Sequence, residues 1–179
     1  VNKHVTTEVN PEVTAEWNRL IQQVREIPYG RIEDHRQVLN QKRGTCSTKH
    51  AFLKHKAEDM NLEHIKLLLV LYKMNDNNTP GVGPILKKYN LDFVPEAHCV
   101  LFDTQQGDFI DATFEHSDFD HLISDTLLTI QINPEDIYNF KKEWHKKYIG
   151  IFSNNSEYSA QELWEIREAC IQALTQNEH

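Results

Sequence analysis

Glycine and proline are scarce, six of each in 179 residues, which excludes a collagen-like or low-complexity chain and leaves few sites for sharp turns. Cysteine is scarcer. Three thiols in unlike contexts do not make a disulfide framework, and an odd number would leave one over in a secreted protein, so a reducing, cytoplasmic setting is expected. Positive charge is also short: 19 Lys and Arg against 27 Asp and Glu give a net charge of -8, and without a basic tract no nucleic-acid partner is expected. Long apolar runs are missing. The longest, Leu67 to Tyr72, is far below bilayer length, and Val1 to Glu8 lacks the apolar core of a leader, so no membrane partner is expected. Because the first residue is not Met, a trimmed leader stays compatible with the sequence.

What is present reads as one domain over 1–179, long enough to bury a core without disulfides. Asn10-Pro11-Glu12 offers an N-cap, a proline at the first helical position and an early acid, and Val13, Trp17, Leu20, Ile21 and Val24 recur at helical spacing, which predicts a helix over about 11–26. Pro28-Tyr29-Gly30 ends it. A short helix around Asp34 to Gln41 leads to Gly44, and a second long helix runs from Cys46 to about Asp59, with His50, Leu53, Ala57 and Met60 on the Cys46 face. Leu67 to Tyr72 reads as a central strand covered on both faces, 84–89 as a helical turn, 97–113 as a hairpin and 127–132 as a further strand. Asn133-Pro134-Glu135-Asp136 repeats the first start signal, ahead of Ile137, Phe140, Trp144 and Tyr148. Ser159-Ala160-Gln161-Glu162 forms a capping box before Leu163, Ile166, Cys170 and Leu174, so helices fill about 134–177. The expected class is α+β: helices, a small antiparallel sheet, then helices.

Three residues in chain order suit a nucleophilic triad. Cys46 follows Gly44 at a helix start, where the dipole and free N–H groups lower a thiol pKa from about 8.5 and can bind an oxyanion. His98 lies in the strand Glu96-Ala97-His98-Cys99-Val100, and Asp111 in the next, Phe109-Ile110-Asp111-Ala112-Thr113. If Thr104 to Gly107 is the hairpin loop, Asp103 pairs with Asp108, Val100 lies opposite Asp111, and His98 and Asp111 share a face in diagonal positions about 7–8 Å apart. A two-residue loop would place Asp111 opposite Phe102, out of reach. In the first register Asp111 orients His98, and His98 deprotonates Cys46 and then protonates the leaving group. Each residue alone has an ordinary reading: a buried thiol, a histidine bonded to backbone, a surface carboxylate. Their shared order, element types and facing favour the triad.

Gly44-x-Cys46 opening a helix, His98 beginning a strand after a polar loop, and the Asp111-Ala112-Thr113 ending resemble the core of the bacterial transglutaminase-like proteins, relatives of papain-type cysteine peptidases, over about residues 40–114. The resemblance implies a nucleophile helix packed on a small antiparallel sheet, flanked here by N- and C-terminal helices. It implies acyl transfer through a thioester on Cys46, by hydrolysis of a peptide or amide bond, deamidation or transfer to an amine, with a peptide or protein substrate and no cofactor or metal. Many members place an aromatic residue or glutamine near the nucleophile in the oxyanion site. Gln37, Asn40 and Gln41 lie close upstream here, and Gln41 is the choice. Hydrolysis is favoured over crosslinking, since no second cleft for an amine is apparent.

The same sequence admits other readings. His50, His55 and His64 near Glu58, Asp59 and Glu63 lack the spacing of ligands on one helical face, and Gly81-x-Gly83 is too short for a phosphate loop. His50, one turn after Cys46, competes with His98 as the base. An arylamine acetyltransferase would need a larger chain and a coenzyme A site. The rival from another class is a non-catalytic transglutaminase-like domain that binds a protein and keeps the triad by descent.

Overall fold

The computed structural model describes residues 10–117, 119–154 and 156–176. The segment Val1 to Glu8, read above for a leader, and the last residue of the expected C-terminal helices lie outside them. Helix α1 (Pro11–Arg25) starts where Asn10 accepts a hydrogen bond from the Glu12 N–H, at 2.9 Å. A 3-10 turn (His35–Gln37) capped by Asp34 leads into α2 (Val38–Gln41), which Lys42 ends in the left-handed conformation. Helix α3 (Cys46–Asp59) is capped by Thr45, whose hydroxyl and N–H both bond to Thr48. There follow β1 (Ile65–Met74), α4 (Gly83–Lys88), β2 (Val94–Asp103), β3 (Asp108–Ile110), α5 (Asp120–Ile123) and β4 (Thr126–Gln131). A 3-10 turn (Pro134–Asp136) opens a continuous helix made of α6 (Ile137–Phe140), a π turn (Lys141–His145) and α7 (Lys146–Ser153). The last helix, α8 (Ala160–Gln176), carries the expected box, with Ser159 N–H to Glu162 at 2.8 Å and Glu162 N–H to Ser159 at 3.2 Å.

The class is α+β, and the four strands form one antiparallel sheet in the order β3-β2-β1-β4. Period-two alternation divides its apolar residues between two cores. Ile65, Leu67, Leu69, Leu71, Ala97, Cys99 and Leu101 pack with Trp17, Ile21 and Val24 of α1 and Ala51, Leu53 and Ala57 of α3. Val70, Tyr72, Met74, Val94 and Val100 face Leu86, Ile149 and, from α8, Leu163, Ile166 and Cys170. Leu67 to Tyr72 is therefore covered on both faces, as its unbroken hydrophobicity predicts. The hairpin takes the four-residue loop, with Asp103 opposite Asp108, Phe102 opposite Phe109 and Leu101 opposite Ile110.

Three local expectations need correction. Helix α3 does not present a single face: Lys49, His50, Ala51, Phe52 and Leu53 are all buried, because α1, the sheet and the 111–113 segment surround its first half. The strand expected through Thr113 stops at Ile110. Asn133 does not cap its helix as Asn10 does; its amide donates to the Asp136 carboxylate instead, at 3.2 Å. Among the described residues no helix is long and apolar enough to cross a membrane.

Candidate active site

Cys46 is the first residue of α3, and its approach is fixed from outside the helix. The Gly44 N–H donates to the Pro28 carbonyl at 3.3 Å and the Gly30 N–H to the Gly44 carbonyl at 3.2 Å, which ties the incoming loop to Tyr29 in a parallel bridge. Gly44 has a packing role: a Cβ there would lie 2.8 Å from the Lys49 stem and 3.1 Å from the capping hydroxyl of Thr48. The room it leaves goes to these two side chains and not to a substrate.

His98 lies on β2, opposite Val70, and its Nε2–H donates to Asp111 Oδ2 at 2.7 Å across a chain separation of 13 residues. A carboxylate only accepts, so Nε2 carries the proton towards Asp111 and Nδ1 is the nitrogen left for the Cys46 thiol, whose charge interacts with that of the ring. The early end of β3 makes this meeting possible. With no strand paired beyond Leu101, the edge of β2 is open to the start of α3, where the Cys99 thiol lies 3.7 Å from the Ser47 hydroxyl.

Asp111 is held by side chains where the ladder has ended. Its Oδ1 accepts from the Thr113 N–H at 2.9 Å and from the Thr113 hydroxyl at 2.6 Å. Arg25 of α1 donates to the Asp111 carbonyl at 3.0 Å, and the buried Lys49 ammonium donates to the carbonyls of Thr113, at 2.7 Å, and of Ile27. His50 completes the clamp. Its Nδ1 donates to the Cys46 carbonyl at 2.7 Å and its Nε2 accepts from the Ala112 N–H at 2.8 Å, so both nitrogens are committed to backbone. His50 is therefore excluded as the competing base.

The electrostatics follow from these contacts. Burial opposes ionisation of Cys46, but Lys141, with its ammonium 3.9 Å from the sulfur, and then His98 bring the thiol down to about 6. Burial likewise opposes the His98 imidazolium, and Asp111 and Cys46 overcome it, raising the ring to about 10. Asp111, against its own burial, is held well below the usual carboxylate range by His98, His50 and Thr113. Between about pH 6 and pH 10 the site thus favours a thiolate beside an imidazolium. Cys99, by contrast, is a core thiol pushed up to about 12, by burial first.

Cys46 is 8% exposed yet lines a cavity of about 1410 Å³ with Tyr29, His98, Glu96, Lys141 and Phe114. No protein-family model, curated protein or solved structure matches this chain. The site therefore has to be read from its own residues.

Gln41 does not belong to it. The side chain is exposed at the end of α2 and does not line the cavity. Gln37 and Asn40 bond to each other, at 3.0 Å. Sequence reasoning missed Lys141, although it falls four residues after Ile137 and three before Trp144, on the apolar stripe of its own helix. A lysine inside such a stripe is the signal that marks it. It also missed Glu96, which lies two residues before His98 on the same face of β2 and forms a buried ion pair with Arg167 of α8; the Arg167 NH2 to Oε1 distance is 2.8 Å. Through Lys141 and this pair the C-terminal helices form one wall of the cavity.

Proposed function

We propose that this protein is a cysteine-dependent acyl hydrolase or acyltransferase with a papain- and transglutaminase-like core, acting on a peptide or amide bond. The observation that carries the reading is the placement of Cys46 at a helix start and on a cavity wall together with His98, whose ring is hydrogen-bonded to Asp111 at 2.7 Å. The Cys46 thiolate attacks the carbonyl carbon, and the oxygen takes the negative charge. The N–H groups of Cys46 and Ser47, not used by the Thr45 cap, lie where α3 can stabilise that charge, and Lys141 adds a cation. Tyr29 lines the same cavity; burial, Cys46 and Glu96 all disfavour its ionisation, so it remains a hydroxyl donor. His98 gives its proton to the leaving amine as the C–N bond breaks, which leaves a thioester. Water, or an amine, then attacks the thioester with His98 as base, and the thiolate returns. Hydrolysis is the favoured outcome; amine incorporation without hydrolysis would overturn that part.

The test is the rate of Cys46 alkylation between about pH 5 and pH 9, followed by mass spectrometry in the native protein and in His98→Ala. Fast alkylation of Cys46 with a midpoint near 6, lost in the variant, supports the thiolate–imidazolium pair. A midpoint at the ordinary thiol value of about 8.5 in both proteins removes the catalytic reading and leaves a protein-binding domain that retains the three residues.

A further inference from the structure

A second group of histidines lies apart from the thiol. His35 in the 3-10 turn before α2, His55 on α3 and Glu135 in the turn before α6 each offer one ligand atom, and these atoms all lie within 4.8 Å of one another. The two imidazoles stack, with ring centroids 4.9 Å apart and planes 9° from parallel. Their Nε2 atoms are buried and neither makes a hydrogen bond, although Glu135 Oε1 lies 3.0 Å from that of His55. On the other side of the His55 ring, Glu58 Oε2 lies 3.4 Å from Nδ1. A carboxylate thus stands beside each nitrogen of His55, and binding a cation at Nε2 would leave the proton on Nδ1, beside Glu58.

Two buried imidazole nitrogens without a hydrogen bond are costly unless a partner is supplied, and the donor set defines one. We propose that His35, His55 and Glu135 bind a divalent transition-metal ion of the zinc class, with water completing the coordination, and that the ion braces one rim of the cavity. Imidazole nitrogen and carboxylate oxygen suit such an ion at about 2.0–2.2 Å, and three protein ligands leave one position open. Ligands at those distances lie about 3.3 Å apart around a tetrahedral centre. The contraction from 4.8 Å falls to the exposed Glu135 side chain and to rotation of the two rings. The Arg36 guanidinium, 3.6 Å from Glu135 and 4.0 Å from Asp34, is the charge that opposes a cation; it is exposed and can turn to solvent. His55 is nine residues along α3 from Cys46, about 13 Å at the helical rise, so the ion is not placed to touch the reacting atoms. It joins the segment before α2, the nucleophile helix and the turn that opens the Lys141 helix.

Because the Cys46 thiolate is itself a zinc ligand, the test uses Cys46→Ser protein, titrated with zinc ion alone in a calorimeter. One equivalent bound with micromolar or tighter affinity is expected, weakened at least tenfold by His35→Gln or His55→Gln and raising the thermal midpoint only where both histidines remain. Imidazole nitrogen resonances provide a second reading with all three ligands in place: those of His35 and His55 shift on addition of zinc while that of His50 does not. Absence of binding by the Cys46→Ser protein, retention of the full equivalent in His35→Gln/His55→Gln, or unmoved His35 and His55 resonances overturns the assignment.

Discussion

His98 and His50 sit with ring centroids 6.1 Å apart, both buried and both beside Asp111, yet they are opposite kinds of histidine. His98 meets a carboxylate on one side and a thiol on the other, so its proton is held and its ring is raised to about 10, against its burial. His50 meets a carbonyl on one side and an N–H on the other. That pairing needs the neutral ring, and burial, only partly offset by Asp111, lowers it to about 4. The difference shows that burial alone does not define a histidine's role. What its two nitrogens face decides whether it moves a proton or locks a helix to a strand end.

The largest effect comes from removing the carboxylate both rings share. Asp111→Ala takes away the 2.7 Å partner of His98, and the Cys46 titration midpoint should rise by about two units, lowering reactivity at pH 6 by on the order of 50-fold; thiolate absorbance against pH measures this directly. An unmoved midpoint would show that Lys141 alone sustains the thiolate.

His50→Leu breaks the other half of the comparison. It strands the Ala112 N–H in the interior and removes the side-chain bond to the Cys46 carbonyl, with an expected loss of about 1–3 kcal/mol of folding stability by urea denaturation. The same ring sets a pH dependence. Between the ordinary value of 6.5 and about 4 the unfolded chain binds a proton that folded His50 refuses, so its contribution falls as pH drops through that window. His98 acts with the reverse sign. Its raised value makes its contribution complete below 6.5 and lost as pH rises through about 10. Stability curves of the native protein and His50→Leu should therefore converge towards pH 4, and parallel curves would contradict the assignment.

Lys141→Met sharpens the comparison from the other side of the thiol. The His98–Asp111 pair stays, and the Cys46 midpoint should rise by about two units, a loss of alkylation rate at pH 6 of the same order as in Asp111→Ala. Gln41→Ala should change neither the alkylation profile nor stability beyond about 0.5 kcal/mol, and a clear loss of Cys46 reactivity in it would return Gln41 to the site.

Much of the molecule was legible in the chain because its signals are local. Asn10-Pro11 and the Ser159 to Glu162 box start helices through contacts within a single turn. The hairpin register from Asp103–Asp108 to Leu101–Ile110 followed from one loop length, but the expected Val100–Asp111 pair does not form, and Asp111 reaches His98 from beyond the ladder. The end of β3 at Ile110 was not legible, because the next residues exchange strand pairing for bonds from Arg25, Lys49 and His50, each distant in sequence. Gln41 is near Cys46 along the chain, but its side chain is exposed at the end of α2 and outside the cavity, which nearness in sequence does not reveal. The Glu96–Arg167 pair spans 71 residues, and no local pattern announces it.

By itself, then, the sequence determined the α+β order, the helix starts, the strand covered on both faces and the residue types for thiol chemistry, since caps, periodicity and loop length act over a few residues. Only the tertiary structure decided which histidine faces the thiol, that Lys141 stands beside it, and that His35 reaches His55. Those outcomes depend on how elements far apart in the chain meet at the open edge of a sheet, where burial and the partner of each nitrogen fix its protonation.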